Sequence, residues 1–116
     1  MKVFKKKKKS KHVLRHGEYA ISACGIVMNA SFAKTKAFLS SYEWRKIRME
    51  AIVKHGGRCQ CCGATAGDGI VINVDHILPR KTHPHLALDI NNLQILCNVC
   101  NHGKGNWDQT DWRKNS

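Results

Sequence analysis

The chain has 116 residues and a formal net charge of +12, with 20 Lys and Arg residues against 8 Asp and Glu residues. These 116 residues fit one small domain with flanking segments. Eight of the positive charges and none of the acids lie in the first sixteen residues, whereas the other hundred residues carry twelve basic and eight acidic groups. A basic arm of this kind usually meets a polyanion, most often nucleic acid.

The basic arm has two interpretations, contact with nucleic acid or a solvated, disordered segment that aids solubility. The apolar run at 20–30 is not expected to act as an export signal, because the residues at positions 15–18 interrupt the apolar region that a signal peptide needs before its cleavage site. It is also too short to span a bilayer. We therefore predict a flexible extension over residues 1–37, no membrane contact and a cytoplasmic location. The arm residues expected to contact nucleic acid are Lys5, Lys6, Lys7, Lys8 and Lys9.

A capping pattern predicts a helix that begins near residue 40. Ser40 is the expected N-cap, Glu43 completes a capping box, and Leu39 and Trp44 are placed to form a hydrophobic staple. Apolar residues then recur at helical spacing until the glycine pair at 56–57 ends the helix. This helix is expected to cover the core.

Two CxxC pairs are the strongest metal signal in the chain. Cys59 and Cys62 form the first pair, Cys97 and Cys100 form the second, and thirty-four residues separate them. Two thiolates two residues apart can hold one side of a tetrahedral zinc ion, and a second pair completes the site. Reduced, unligated core cysteines are the alternative. Cys24 is expected to be an ordinary buried thiol.

Two strands and a short helix are predicted between and after the cysteine pairs. Residues 70–74 are β-branched and lead to an Asp-His pair, residues 79–92 form a polar loop, and residues 93–96 form a second strand. A short helix follows within residues 97–105. This core is too small to be stable without an added constraint such as a metal ion.

The residues around the strand ends predict a second, open metal site. Asp75 offers a hard carboxylate suited to Mg²⁺. His76, on the opposite side of the strand, can deprotonate water while it is neutral. Asn92 can orient that imidazole by a hydrogen bond. Asn101, which Cys100 positions directly, offers a second oxygen ligand.

Each of these residues also has a structural interpretation, because an Asp-His pair can simply end a strand and asparagines often form turns. The combination with four cysteines favours a hydrolase that cleaves phosphodiesters with a base and a cation. The residues expected to hold a phosphate are His102, Lys104 and Arg80.

The combined motifs resemble those of the zinc-containing HNH endonucleases of phages and bacteria. The resemblance covers about residues 38–106. It implies an α+β chain with a small ββα-metal domain, a preceding helix and a structural Zn²⁺ held by the four cysteines. It also implies hydrolysis of DNA with one Mg²⁺ or Mn²⁺ ion. The matching segments are 44–48, Cys59-x-x-Cys62-Gly63, Val74-Asp75-His76-Ile77-x-Pro79, Asn92-Leu93-Gln94-x-Leu96-Cys97-x-x-Cys100-Asn101 and Gly103-Lys104-Gly105.

The resemblance assigns roles by position. His76 matches the general base, Asn92 matches the central asparagine, and Asn101 stands where many members have a histidine. Asp75 and Asn101 would hold the catalytic cation, with His102 as the alternative to Asn101. An oxygen ligand at position 101 favours Mg²⁺ or Mn²⁺ over softer metals.

The resemblance also sets the expected boundaries and partners. The domain would occupy residues 38–106, with a C-terminal tail at 107–116. DNA is the implied partner, in the cytoplasm of a bacterial host, and phage-packaging or restriction proteins are candidate partners. The alternative function is a catalytically silent zinc module that binds nucleic acid. A third, a zinc-dependent protein-interaction module, predicts no salt-sensitive affinity for DNA.

The basic arm gives a first prediction. Deletion of residues 1–16 should weaken DNA binding and flatten its salt dependence, because log K falls with log salt by about 0.9 per phosphate contact in duplex DNA. A salt titration of binding measures both effects, and the cleavage rate at saturating DNA serves as the control. An unchanged slope would show that the arm makes no phosphate contact.

Overall fold

The structure, a computed structural model, describes residues 18–104 and 108–115. Within these residues, two antiparallel sheets of two strands each combine with three α-helices, so the predicted α+β class is confirmed. Within the described ranges, no helix is both long and apolar enough to cross a membrane. The elements are β1 (Tyr19–Ile21), β2 (Val27–Asn29), α1 (Ala30–Ala33), α2 (Tyr42–His55), β3 (Ile72–His76), β4 (Leu93–Cys97) and α3 (Asn98–Lys104).

The hairpin of β3 and β4, followed directly by α3, forms the ββα unit. Its register places Asp75 opposite Gln94 and His76 opposite Leu93. The first strand begins two residues later than the sequence predicts. Val71 is instead tied to the end of β4, because its N–H donates to the Oδ1 of Asn98 and its carbonyl accepts from the N–H of Asn98. Asp75 and His76 therefore lie within the strand, where backbone pairing fixes their positions.

Helix α2 has Ser41 as its N-cap, one residue later than predicted. The backbone of Ser41 is extended and its Oγ accepts a hydrogen bond from the N–H of Trp44 at 3.1 Å. Ser40 ends a 3₁₀ turn, so the predicted capping box between Ser40 and Glu43 does not form. The predicted glycine end is confirmed, since Gly56 has a φ of 81° and donates to the carbonyl of Ile52.

The prediction of a flexible extension is wrong for residues 18–37. Ala20, Met28 and Ala33 are buried in one core cluster with residues of α2 and β4. Strands β1 and β2 pair within this segment as a hairpin. Each strand has only three residues, and a pattern that short gives no recognisable alternation in the sequence. Cys24, in the turn of this hairpin, is exposed and not buried as predicted. Residues 1–17, which include the five lysines of the basic arm, lie outside the described residues.

Arg80 joins this hairpin region to the loop after β3. Its Nη1 donates to the carbonyls of Ala33 and Thr35, at 2.7 and 2.9 Å, and its guanidinium lies 4.8 Å from the centre of the Phe38 ring. The hairpin is therefore part of the folded unit that carries the candidate site.

The described part of the predicted C-terminal tail is also folded. Trp112 packs against a second buried cluster, which Cys59, Leu96 and Cys97 form. The Nη1 of Arg113 donates to the carbonyl of Asn91 at 2.7 Å. Apolar burial of one aromatic side chain thus holds this segment against β4.

Candidate metal sites and active-site cleft

The two CxxC pairs meet in space and form a four-sulfur cluster. The sulfur atoms of Cys59, Cys62, Cys97 and Cys100 all lie within 4.8 Å of one another. The sulfurs of Cys62 and Cys97 are 3.8 Å apart. A tetrahedral zinc ion with Zn–S bonds of about 2.3 Å places its sulfurs about 3.8 Å apart. This cluster therefore suits a structural metal ion such as zinc.

Short turns shape each half of the cluster. The N–H of Cys62 donates to the sulfur of Cys59, and the N–H of Cys100 donates to the sulfur of Cys97, both at 3.4 Å. Gly63 completes the first turn with a φ of 83°, a conformation that favours glycine. The second turn is the start of α3, so one peptide bond separates the cluster from Asn101.

The protonation of the thiols also favours a bound cation. Burial raises the pKa of Cys59, but backbone N–H donors from Cys62, Cys97 and Cys61 outweigh it and lower that pKa to about 6. Burial and the neighbouring thiols raise the pKa of Cys100. Ionisation of one thiol therefore disfavours ionisation of its neighbours, and a divalent cation among the sulfurs would offset this repulsion.

A cleft of about 470 Å³ lies beside β3 and α3. Asp75 and His76 from β3 line it together with Asn101 from α3. Among the described residues that line it, Asp75 is the single acid, and four basic residues make the cleft electropositive. An electropositive cleft of this kind attracts a phosphodiester. The basic residues are Lys34, Arg80, Lys81 and Lys104.

His76 is held as a neutral imidazole with one defined tautomer. Its Nε2 lies 2.9 Å from the carbonyl oxygen of Ala87, and its ring stacks on Trp44 with 4.7 Å between centroids. A carbonyl oxygen can only accept, so Nε2 carries the proton and Nδ1 keeps a lone pair. Burial lowers the pKa of His76 to about 4; the Ala87 carbonyl opposes this shift, and the charges of Arg80 and Lys104 add to it.

Asn92 does not make the hydrogen bond to the imidazole that the sequence predicts. Its Oδ1 accepts from the N–H of Leu78, and its Nδ2 donates to the carbonyls of Leu78 and Leu86. The backbone of Ala87, next to Leu86, provides the bond to His76. Asn92 therefore acts on the histidine indirectly, by fixing the loop that carries this carbonyl.

Asp75 is nearly buried and has two partners on one oxygen. Its side chain is 13% exposed, and its Oδ2 accepts from the Nε2 of Gln94 at 2.9 Å and lies 3.4 Å from the Nζ of Lys104. Burial raises the pKa of Asp75, and the bonds to Gln94 and Lys104 oppose that shift. Lys104, whose side chain is only 5% exposed, is therefore a partner of Asp75 as well as a residue of the cleft.

The two alternatives for the second cation ligand differ in position. Asn101 is half-buried and lines the cleft beside Asp75. His102 is exposed and is not among the residues that line the cleft. The geometry brings Asn101, and not His102, to the candidate site.

The sequence missed several residues of this site. The sequence places Trp44 in the core-covering helix and in segment 44–48 of the resemblance but predicts no contact with His76, and Lys34 and Lys81 carry no motif. Gln94 had a usable signal, because a glutamine within the buried run Leu93–Cys97 must find hydrogen-bond partners inside the protein.

The model of the HNH endonuclease family matches residues 59–106. This stretch is an HNH domain. Its recognition from the sequence is thus confirmed, together with the ββα-metal fold. The comparison with curated proteins and the comparison with solved structures each found no match. An HNH domain indicates a function as a nuclease or in nucleic-acid binding, and its cysteine cluster suggests a structural metal ion such as zinc.

The matched stretch does not contain the whole site. It includes the four clustered cysteines, the β3–β4 hairpin and α3. Trp44, Lys34 and Trp112 lie outside it. The HNH domain of this chain therefore depends on contacts from both flanking segments.

The four-sulfur cluster gives the second prediction. Cys97→Ser should remove bound zinc and abolish cooperative thermal unfolding, because a structural zinc site contributes roughly 10–16 kcal/mol to the folding of small domains. Metal analysis and a thermal melt followed by circular dichroism measure these effects. The control is Cys24→Ser, which changes an exposed thiol outside the cluster. A Cys97→Ser protein with full zinc content and an unchanged melt would contradict a zinc site here.

Proposed function

We propose that the HNH domain is a metal-dependent DNA endonuclease that hydrolyses phosphodiester bonds with His76 as general base. The observation that carries this proposal is the state of His76. The imidazole lines an electropositive cleft, is neutral at physiological pH, and uses Nε2 to bond Ala87, so that Nδ1 is available to accept a proton. Asp75, the preceding residue of β3, lines the same cleft.

Asp75 and Asn101 fit a hard divalent cation, Mg²⁺ or Mn²⁺, because both offer oxygen donors. The raised pKa of Asp75 supports this assignment, since a cation beside a buried carboxylate offsets the cost of its charge. Such an ion would supply Lewis-acid stabilisation of the leaving 3′-oxygen. A zinc ion in the cysteine cluster would have a different role, because it would fix the start of α3 and with it Asn101.

His76 then acts on water. Nδ1 removes a proton from water, the resulting hydroxide attacks phosphorus, and the bond to the 3′-oxygen breaks. The 3′-oxygen takes a proton from solvent and the imidazolium releases its proton to solvent, which leaves 5′-phosphate and 3′-hydroxyl ends and the neutral base. A phosphodiester in the cleft brings negative charge near the imidazole and raises its pKa from about 4 toward neutrality. The Ala87 carbonyl also stabilises the imidazolium that forms, because Nε2 continues to donate to it. DNA binding thus strengthens the base that cuts the DNA.

The basic residues of the cleft are proposed to hold the DNA backbone. Lys34 and Lys81 line the cleft beside Arg80, whose Nη1 already donates to two backbone carbonyls. Lys104 can serve a phosphate once a cation neutralises Asp75. The arm residues Lys5–Lys9 remain candidates for further phosphate contacts. Action in a bacterial cytoplasm, on phage or host DNA, fits the cluster, because a reducing compartment keeps paired thiols available for metal.

The second candidate function is binding of nucleic acid without cleavage. The ion pair between Lys104 and Asp75 favours it, because the ammonium already offsets the carboxylate charge without a divalent cation. The two functions differ in their response to metal. A nuclease needs Mg²⁺ or Mn²⁺ and is inhibited by EDTA, whereas a binding module retains its DNA affinity and leaves the plasmid intact.

The third prediction concerns His76. His76→Ala should lower Mg²⁺-dependent plasmid nicking by at least ~10²-fold, since a positioned general base contributes 10²–10⁴-fold. DNA affinity, measured by fluorescence anisotropy in EDTA, should change little. His83→Ala, which removes an imidazole outside the cleft lining, should nick at the wild-type rate. Nicking by His76→Ala within tenfold of wild type would reject the proposed base.

The fourth prediction distinguishes the two candidate ligands. Asn101→Ala should raise the Mg²⁺ concentration for half-maximal nicking by about tenfold or more, because it removes a ligand that lines the cleft. His102→Ala, the matched change one residue further on, should leave that concentration within twofold. The reverse result would assign the second ligand to His102.

A further inference from the structure

Gln94 is a polar residue in the middle of an entirely buried strand. Its side chain is 0% exposed, and its neighbours Leu93 and Ile95 are apolar and equally buried. A buried amide is stable only when its two N–H groups and its oxygen find partners. Nε2 donates to the Oδ2 of Asp75 at 2.9 Å and to the carbonyl of Thr110 at 3.0 Å, and Oε1 accepts from the N–H of Trp112 at 2.7 Å.

These partners fix the amide in a single orientation. The N–H of Trp112 can only donate, so it must meet Oε1. The Asp75 carboxylate and the Thr110 carbonyl accept, so they must meet the two hydrogens of Nε2. Rotation of the amide by 180° would place like groups against each other at all three contacts. Gln94 is therefore locked.

Because its orientation is fixed, the Gln94 amide also fixes the orientation of the Asp75 carboxylate that it contacts. Asp75 lies directly opposite Gln94 in the β3–β4 register, so the backbone sets the distance between the two side chains. Both contacts of the carboxylate, from Gln94 and from Lys104, are made to Oδ2. Among the described residues, no group donates a hydrogen bond to Oδ1. The carboxylate of Asp75, which lines the cleft, is thus held by one oxygen, while the other oxygen accepts no hydrogen bond from the described residues.

The C-terminal segment, residues 108–113, holds Gln94 in turn. Thr110 and Trp112 provide backbone partners on either side of the amide. The Trp112 side chain packs near the cysteine cluster, and Arg113 donates to the carbonyl of Asn91 just before β4 begins. The segment is therefore anchored near both ends of β4, with Gln94 between the anchors.

We infer that Gln94 is a positioning residue that presents Oδ1 of Asp75 to the catalytic cation, and that the C-terminal segment acts on the metal site through it. This inference rests on the proposed function. It extends the site beyond the HNH match, because residues 108–113 lie outside the matched stretch. A purely structural Gln94 would stabilise the fold with no influence on metal binding.

The test measures Mn²⁺ binding to zinc-loaded protein by electron paramagnetic resonance, together with nicking as a function of Mn²⁺ concentration. Gln94→Met keeps the length of the side chain and removes all three hydrogen bonds. It should raise the Kd for Mn²⁺ by roughly 10–100-fold, as loss of a partner of a metal ligand typically does. Nicking at saturating Mn²⁺ should recover to within about tenfold of wild type, because His76 is untouched.

Two further variants make the result decisive. Ile95→Ala is the matched control on the same strand, since it removes buried apolar packing and leaves the Gln94 bonds in place. It should lower the melting temperature with no change in the Kd for Mn²⁺. Gln94→Asn keeps an amide that is one methylene too short to reach from Asp75 to Trp112. We expect Gln94→Asn to raise the Kd for Mn²⁺ as Gln94→Met does, and it replaces Gln94→Met if the methionine variant does not fold.

The possible outcomes separate the inference from the proposed function. A wild-type protein that neither binds Mn²⁺ nor nicks DNA would overturn the proposed function. A wild-type protein that does both, with a Gln94 variant of unchanged Kd, would overturn the inference alone. An equal rise in Kd for Ile95→Ala would also overturn it, because the effect would then follow from lost stability.

Discussion

The meeting of four thiols from two distant segments is the constraint on which the rest of this structure depends. Thirty-four residues separate the two CxxC pairs, and their sulfurs converge to within 4.8 Å. Small domains bury little apolar surface, so hydrophobic burial alone hardly offsets the conformational entropy lost when such a long intervening segment is ordered. The cluster fixes both ends of that segment, and its second pair begins α3. The β3–β4 hairpin, the cleft and the position of Asn101 all follow from this closure.

Asp75 and His76 are adjacent in β3, and their surroundings shift their pKa values in opposite directions. Burial raises the pKa of Asp75 and lowers that of His76 to about 4, so the surroundings disfavour the charged form of each. Such charges become favourable only beside a counter-charge. A divalent cation suits Asp75 and a phosphodiester suits imidazolium. In the proposed nuclease, the cleft would therefore reach its working charge state only when both components are bound.

The sequence predicted the parts of the fold that local chemistry or motif spacing determines. The CxxC pairs, the Asp-His pair and the helix end at Gly56 were readable because each depends on a few neighbouring residues. The hairpin of residues 18–37 was not, because its strands are three residues long and their burial depends on α2. The hydrogen-bond partner of His76 Nε2 is not predictable from the sequence, because it is the backbone carbonyl of Ala87 and every residue has such a carbonyl. The predicted helix start is one residue early because Ser40 and Ser41 are equally suitable N-caps by residue type, and Ser40 instead ends the preceding 3₁₀ turn.

Trp44 has a consequence for how the HNH motif relates to its host chain. The matched stretch contains Asp75 and His76, but the aromatic surface against His76 comes from α2, which lies before that stretch. Part of the apolar surface around the imidazole is therefore supplied by a helix that lies outside the stretch the family model matches. Two chains with identical motifs can thus hold the same histidine at different proton affinities. The pH range of such a domain is a property of its flanking helix as much as of its motif.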